Sequence, residues 1–174
     1  FRSRQIKDSY DRFGFTNFYI ADETFNDSTE KLIKFGNASE NLGFNPWFTG
    51  FIRADLIVSQ PEQMEHLARM GVNGHYYGIE TFNHKSGKTV GKGMDPDKLK
   101  TGLLNIKNYF NSHHQNRYRG LCSFVLGLPY ETEKSIEDMF YWLISNWEGQ
   151  SITFHPLEIP VDEFTDKPSK MSLD

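Results

Sequence analysis

The stretch GHYYGIETFNHKSGKTVGKG, Gly74 to Gly93, joins two kinds of sequence. Its first part alternates like a half-buried strand, is rich in aromatic residues and stops at a carboxylate, Glu80. Its second part is polar, full of Gly and Lys, and reads as a loop. On either side lie helical patterns. PEQMEHLARMG (61–71) has Pro61 in its first turn and Gly71 as its stop, and Asp95–Phe110 opens with Asp95-Pro96. A strand between two helices, ending on an acid, is the core of a βα unit with a polar group at its carboxyl end.

The same rhythm runs outward in both directions. Residues 3–13 read as a helix, FTNFYIADETF (15–25) as an apolar run and Ser28–Leu42 as a helix. WFTGFIRADLI (47–57) reads as a strand. YRGLCSFVLGLP (118–129) is a further strand, Glu133–Trp147 a helix and SITFHPLEI (151–159) a last strand. The helix from Glu133 spaces Ile136, Met139, Phe140, Leu143, Ile144 and Trp147 so as to bury one face. Such alternation predicts an α/β fold of repeated βα units with parallel strands and helical crossovers. An open doubly wound sheet and a barrel, or part of one, both fit. No Gly-x-Gly-x-x-Gly follows any strand, which favours a partial (β/α) TIM-type barrel of about five parallel strands.

Composition narrows the function classes. The chain has 174 residues, 15% of them aromatic, and a formal net charge of −4. That length suits one domain burying roughly two-thirds of its unfolded surface. Acids and bases are interspersed, so no basic tract points to nucleic acid and no charge block to a membrane surface. No apolar run is long enough for a transmembrane span, and no signal-peptide pattern is present. The single cysteine, Cys122, excludes an internal disulfide and fits a reducing cytoplasm. It also excludes a multi-cysteine metal site built by this chain alone. His113 and His114, adjacent after a helix, read as solvent-exposed rather than as metal ligands.

Ligands of both candidate architectures bind beyond the carboxyl ends of the strands. Those ends carry Ala21-Asp22-Glu23, then Arg53 with Asp55, then Glu80 preceded by Gly78, then Gly127-Leu128-Pro129-Tyr130-Glu131, then His155-Pro156. Each group alone has a structural explanation: Asp22 or Glu23 as a helix cap, Arg53 paired with Asp55, Glu131 at the acidic start of a helix. Their repetition at one position makes a polar rim. Two carboxylates on such a rim, Glu80 with Glu23 or Glu131, also permit a hydrolase reading.

As a set, FYIADETF, WFTGFIRADLI, HLARMGVNGHYYGIETFN with KTVGKG, and CSFVLGLPYETEKSIED resemble the radical S-adenosylmethionine (SAM) superfamily. The likeness is to its cobalamin-associated and methylthiotransferase-like branch and covers residues 1–160. Residues 161–174 are expected to be a linker or the start of a following segment. The resemblance implies that SAM lies across the strand ends of a partial barrel and that a 4Fe–4S cluster cleaves it reductively to a 5′-deoxyadenosyl radical. It implies further that Asp22 and Glu23 lie near the methionine amino group and that Glu80 accepts from the ribose hydroxyls, with Gly78 allowing close approach. Ser123, Val125 and Gly127 would flank the adenine, as would His155. Arg53 would meet the methionine carboxylate or a rim acid. An electron donor such as flavodoxin or ferredoxin is expected, and cobalamin is a possible further cofactor. The family's cluster needs three cysteines spaced C-x-x-x-C-x-x-C, which this sequence lacks. The expectation is therefore a fragment whose cysteine loop lies upstream of Phe1, or else a degenerate nucleoside-binding module without catalysis.

Overall fold

The structure, a computed structural model, describes residues 3–113 and 117–158. Its strands are β1 (Asn17–Ile20), β2 (Trp47–Phe51), β3 (Val72–Glu80), β4 (Arg119–Leu126) and β5 (Ser151–Pro156). They form one sheet in the order β1-β2-β3-β4-β5, every pair parallel. The helices are α1 (Ser3–Phe13), α2 (Thr29–Glu40), α3 (Ala54–Ser59), α4 (Gln63–Arg69), α5 (His84–Thr89), α6 (Pro96–His113) and α7 (Glu133–Asn146).

The strand order decides between the two architectures. A doubly wound sheet reverses direction partway, so its crossovers fall on both faces. Here each crossover steps to the next strand in the same direction. Right-handed connections then place every crossover helix on one face. This is the partial barrel. Phe48 of β2 meets Phe35 of α2 edge-on at 5.2 Å, and Phe82, just after β3, meets Phe124 of β4 and Trp142 of α7. Phe48, Tyr77, Cys122 and Phe124 are at most 1% exposed on that side. Three of its polar side chains form a chain: the Tyr77 hydroxyl lies 2.6 Å from His75 Nδ1 and 2.9 Å from the Tyr118 hydroxyl.

The opposite face carries the alternate residues. Register aligns Phe51 with Tyr76 and Tyr76 with Leu121. It likewise aligns Gly78 with Ser123 with Thr153, and Val125 with His155. No described helix is long and apolar enough to cross a membrane.

Two elements differ from the sequence reading. The strand predicted over 47–57 ends at Phe51, and Ala54–Ser59 is helical. The buried side chain of Asn26 turns the chain there, accepting from Arg53 N–H at 2.8 Å and donating to the Arg53 carbonyl at 3.0 Å. These bonds replace the ladder a longer strand would have made. The predicted Gly/Lys loop contains α5, capped by Asn83, whose Oδ1 accepts from Lys85 and Ser86 N–H at 3.0 and 3.2 Å. His114, Ile159 and residues 161–174 lie outside the described residues.

Candidate functional site

At the carboxyl ends of the strands, on the face away from the helices, lies a cleft of about 520 Å³. Its lining takes Glu23 and Thr24 from beyond β1, Phe51 and Arg53 from the end of β2, and Tyr76, Gly78 and Glu80 from β3. Lys92 enters from the loop after α5, Leu121 and Ser123 from β4, and Thr153 and His155 from β5. All five strands or the residues just beyond them contribute, but Asp22 and the group predicted at the end of β4, Gly127 to Glu131, are not in the lining.

Glu80 is the most unusual of these. Its backbone adopts a left-handed φ of 67°, a conformation that costs a non-glycine residue about 1–3 kcal/mol. The ladder with β4 slips between Gly78 and Glu80, so the last residue of the strand is re-aimed. Its carboxylate curls back over Gly78, where a Cβ would stand 2.5 Å from Glu80 Oε1. The sequence reading gave Gly78 the task of admitting a ligand; the structure shows it making room for the carboxylate itself. Burial pushes the Glu80 carboxyl above its ordinary range, while Lys92 and His155 pull it back. Its side chain is 24% exposed, and Lys92 Nζ stands 3.9 Å away. Among the described residues no donor hydrogen-bonds this carboxylate.

The paired acids after β1 have separate situations. Asp22 receives Lys31 Nζ at 2.8 Å and Thr24 N–H at 3.0 Å, and the Lys31 hydrogen bond holds its carboxyl below the usual range. It fixes the loop. Glu23 lines the cleft, and its side chain has no hydrogen-bond partner among the described residues. Arg53, at the N-cap of α3, grips Asp55 with both Nε (3.1 Å) and Nη2 (2.5 Å), so its guanidinium plane is already set.

Ser123 lines the cleft with no side-chain partner among the described residues. Val125 is half-buried one step further along the same face, in register with His155, and lies outside the cleft lining. His155 Nε2 is 2.6 Å from Thr153 Oγ1. Gly127, at a φ of 92°, begins the turn after β4. Its N–H and that of Leu128 donate to Glu131 Oε2 at 2.9 and 3.1 Å, and Thr81 Oγ1 donates to Glu131 Oε1 at 3.0 Å. Glu131 is thus a clamp holding two strand-end loops together. Three donors already occupy it, which removes it from the pair of acids a hydrolase would need.

Sequence reasoning left out Phe51 and Tyr76, and had Lys92 only as part of the Gly/Lys loop Lys85–Gly93 on the rim. The first two were within reach, because Tyr76 shares parity with Gly78 along β3. Their rings meet at 5.5 Å, and Tyr19 of β1 contacts both. Among the described residues no cluster of three or more His, Cys, Asp or Glu is arranged to hold a metal. Cys122 is fully buried, and burial pushes its thiol well up, so it is a core residue.

No protein-family model matches the chain, and neither does any curated protein. Solved structures do. One is coproporphyrinogen III oxidase (HemN) from Escherichia coli, a radical SAM enzyme. It aligns with a TM-score of 0.55 at 16% identity, over 73% of this chain and 28% of that one. Another is the cobalamin-dependent S-adenosylmethionine radical enzyme OxsB with aqua-cobalamin bound, with a TM-score of 0.65 at 16% identity, over 82% and 21%. The chain therefore spans well under a third of each neighbour. What it shares with them is the fold, in this chain five parallel strands of a partial β/α barrel.

Proposed function

We propose that this chain is the SAM-holding portion of a radical SAM enzyme. One observation carries the reading: a carboxylate, Glu80, held half-buried at a strand end and without a hydrogen bond among the described residues, in a cleft to which all five strands or the residues just beyond them contribute. A buried acceptor without a donor is costly, and a ligand bearing two adjacent hydroxyls supplies the missing donors to its two oxygens.

The residues fit SAM as follows. Glu80 accepts from the ribose hydroxyls. Glu23 accepts from the methionine ammonium, a charge-assisted hydrogen bond, while Asp22 holds the loop that presents it. Arg53, its plane set by Asp55, offers its remaining donors to the methionine carboxylate. Ser123 and Val125, with His155 across the strand pair, border the adenine, and Gly127 ends that wall. Bound SAM, given one electron from outside this chain, would split its C–S bond, release methionine and leave a 5′-deoxyadenosyl radical for hydrogen abstraction. The chain's part is to orient it and exclude water.

The 4Fe–4S cluster does not fit the residues present. Three thiolates are needed, and the only cysteine is buried in the core. In this reading the ligand cysteines belong to a longer polypeptide, the electron comes from a partner such as flavodoxin or ferredoxin, and the substrate is unassigned. Cobalamin is suggested by the sequence resemblance and by the likeness to OxsB, and no residue here is assigned to it. The test is to express the longest reading frame containing this chain, reconstitute it anaerobically with iron and sulfide, and reduce it with SAM present. Accumulation of 5′-deoxyadenosine supports the reading; intact SAM contradicts it and leaves a nucleoside-binding module.

A further inference from the structure

Lys92 was no part of the rim read from strand ends, yet it reaches the centre of it. Its backbone N–H donates to the Gly87 carbonyl at 2.7 Å, which folds the end of the loop back toward the sheet. Its side chain crosses the end of β3, where Nζ donates to the Gly78 carbonyl at 2.7 Å and stands 3.9 Å from Glu80 Oε1. The loop that carries it is fixed. Asn83 Nδ2 donates to the Tyr130 carbonyl at 3.0 Å and Ser86 Oγ to the Pro129 carbonyl at 2.6 Å, binding α5 to the turn after β4. The ammonium is therefore held in place before any ligand arrives, which lowers the cost of binding.

An ammonium has three donors, and Lys92 uses one of them on Gly78 among the described residues. The neighbouring carboxylate has no donor among the described residues. At 3.9 Å the two attract but do not hydrogen-bond, and both line the same cleft. A group that both accepts and donates satisfies the pair at once. A hydroxyl does so; a methyl, a carbonyl or an ammonium does not. We propose that Lys92 is the donor half of a hydroxyl-binding pair whose acceptor half is Glu80, with one ligand hydroxyl bridging the two. This rests on the reading of the cleft as a ribose site and adds a second determinant to it. His155, on β5, is the other basic side chain acting on Glu80 and is left unchanged in the test.

The test titrates adenosine, 2′-deoxyadenosine and 3′-deoxyadenosine into the 174-residue chain by calorimetry, in wild type and in Lys92→Met. The wild type is expected to favour adenosine over at least one deoxynucleoside by roughly tenfold, the worth of a hydrogen bond to a charged group. Lys92→Met is expected to narrow that preference severalfold, Glu80 still accepting from the hydroxyl, while binding the deoxynucleoside as before. A purely structural lysine would weaken all three nucleosides by the same factor, and that result overturns the proposal, as does a preference left intact. If Lys92→Met fails to fold by circular dichroism, Lys92→Gln keeps a donor for Gly78. A reduced preference there supports the proposal and an unchanged one overturns it. Failure of wild type to bind adenosine overturns the ribose reading and this inference with it; binding with the preference intact in the variant overturns the role of Lys92 alone.

Discussion

Glu80 combines three unfavourable features in one residue: a left-handed backbone, a half-buried charge and an acceptor without donors among the described residues. Strain of this kind persists where the surrounding structure imposes it. Because burial raises its folded pKa, its contribution to stability is full in acid and is lost as pH rises through the folded pKa. Glu80→Gln keeps the shape and removes the charge. It should melt higher than wild type at pH 8, with the gap closing as the pH falls below the ordinary glutamate range; a constant gap in differential scanning fluorimetry would show that burial of the charge is not the cause. The acid at this strand end was plain in the sequence. Its partner was not, because Lys92 reaches it only through the fold-back of a loop twelve residues on, a path no periodicity records.

At the scale of elements, the site is a set of loops tied to one another. Glu131 alone takes donors from Gly127, Leu128 and Thr81. Glu131→Ala leaves those three groups without their acceptor and should cost about 1–3 kcal/mol in urea denaturation, a loss that a merely dipole-directed carboxylate would not show. The sequence could not distinguish these roles, since an acid just before a helix suits its N-terminus in either case. Nor could it separate Asp22 from Glu23: adjacent carboxylates look alike until Lys31 is seen to take one of them. The strand expected over 47–57 failed for a related reason. A short apolar run does not reveal its period, and the turn inside it is made by Asn26, far away in sequence.

The whole molecule is a sheet with two unlike faces, and that asymmetry follows from strand order. Helices, strands and their alternation were legible because hydrophobic period and stop signals are local. The choice between an open sheet and a partial barrel needed the sequential order; sequence leaned to the barrel only through the missing Gly-x-Gly-x-x-Gly and through resemblance. The asymmetry is measurable. Phe48, at 1% exposure under the helices, should cost about 3–5 kcal/mol on truncation to alanine. Phe51, three residues on and 43% exposed to the cleft, should cost less than about 1.5 kcal/mol. Equal losses in denaturant titrations would mean that both faces are covered. The account's central claim is that the exposed face binds SAM with its ribose on Glu80, and calorimetric titration of SAM into the wild-type chain and into Glu80→Ala tests it most directly. The account predicts binding that weakens by about 1–3 kcal/mol in the variant; equal affinity in the two chains, or no binding to either, would contradict it.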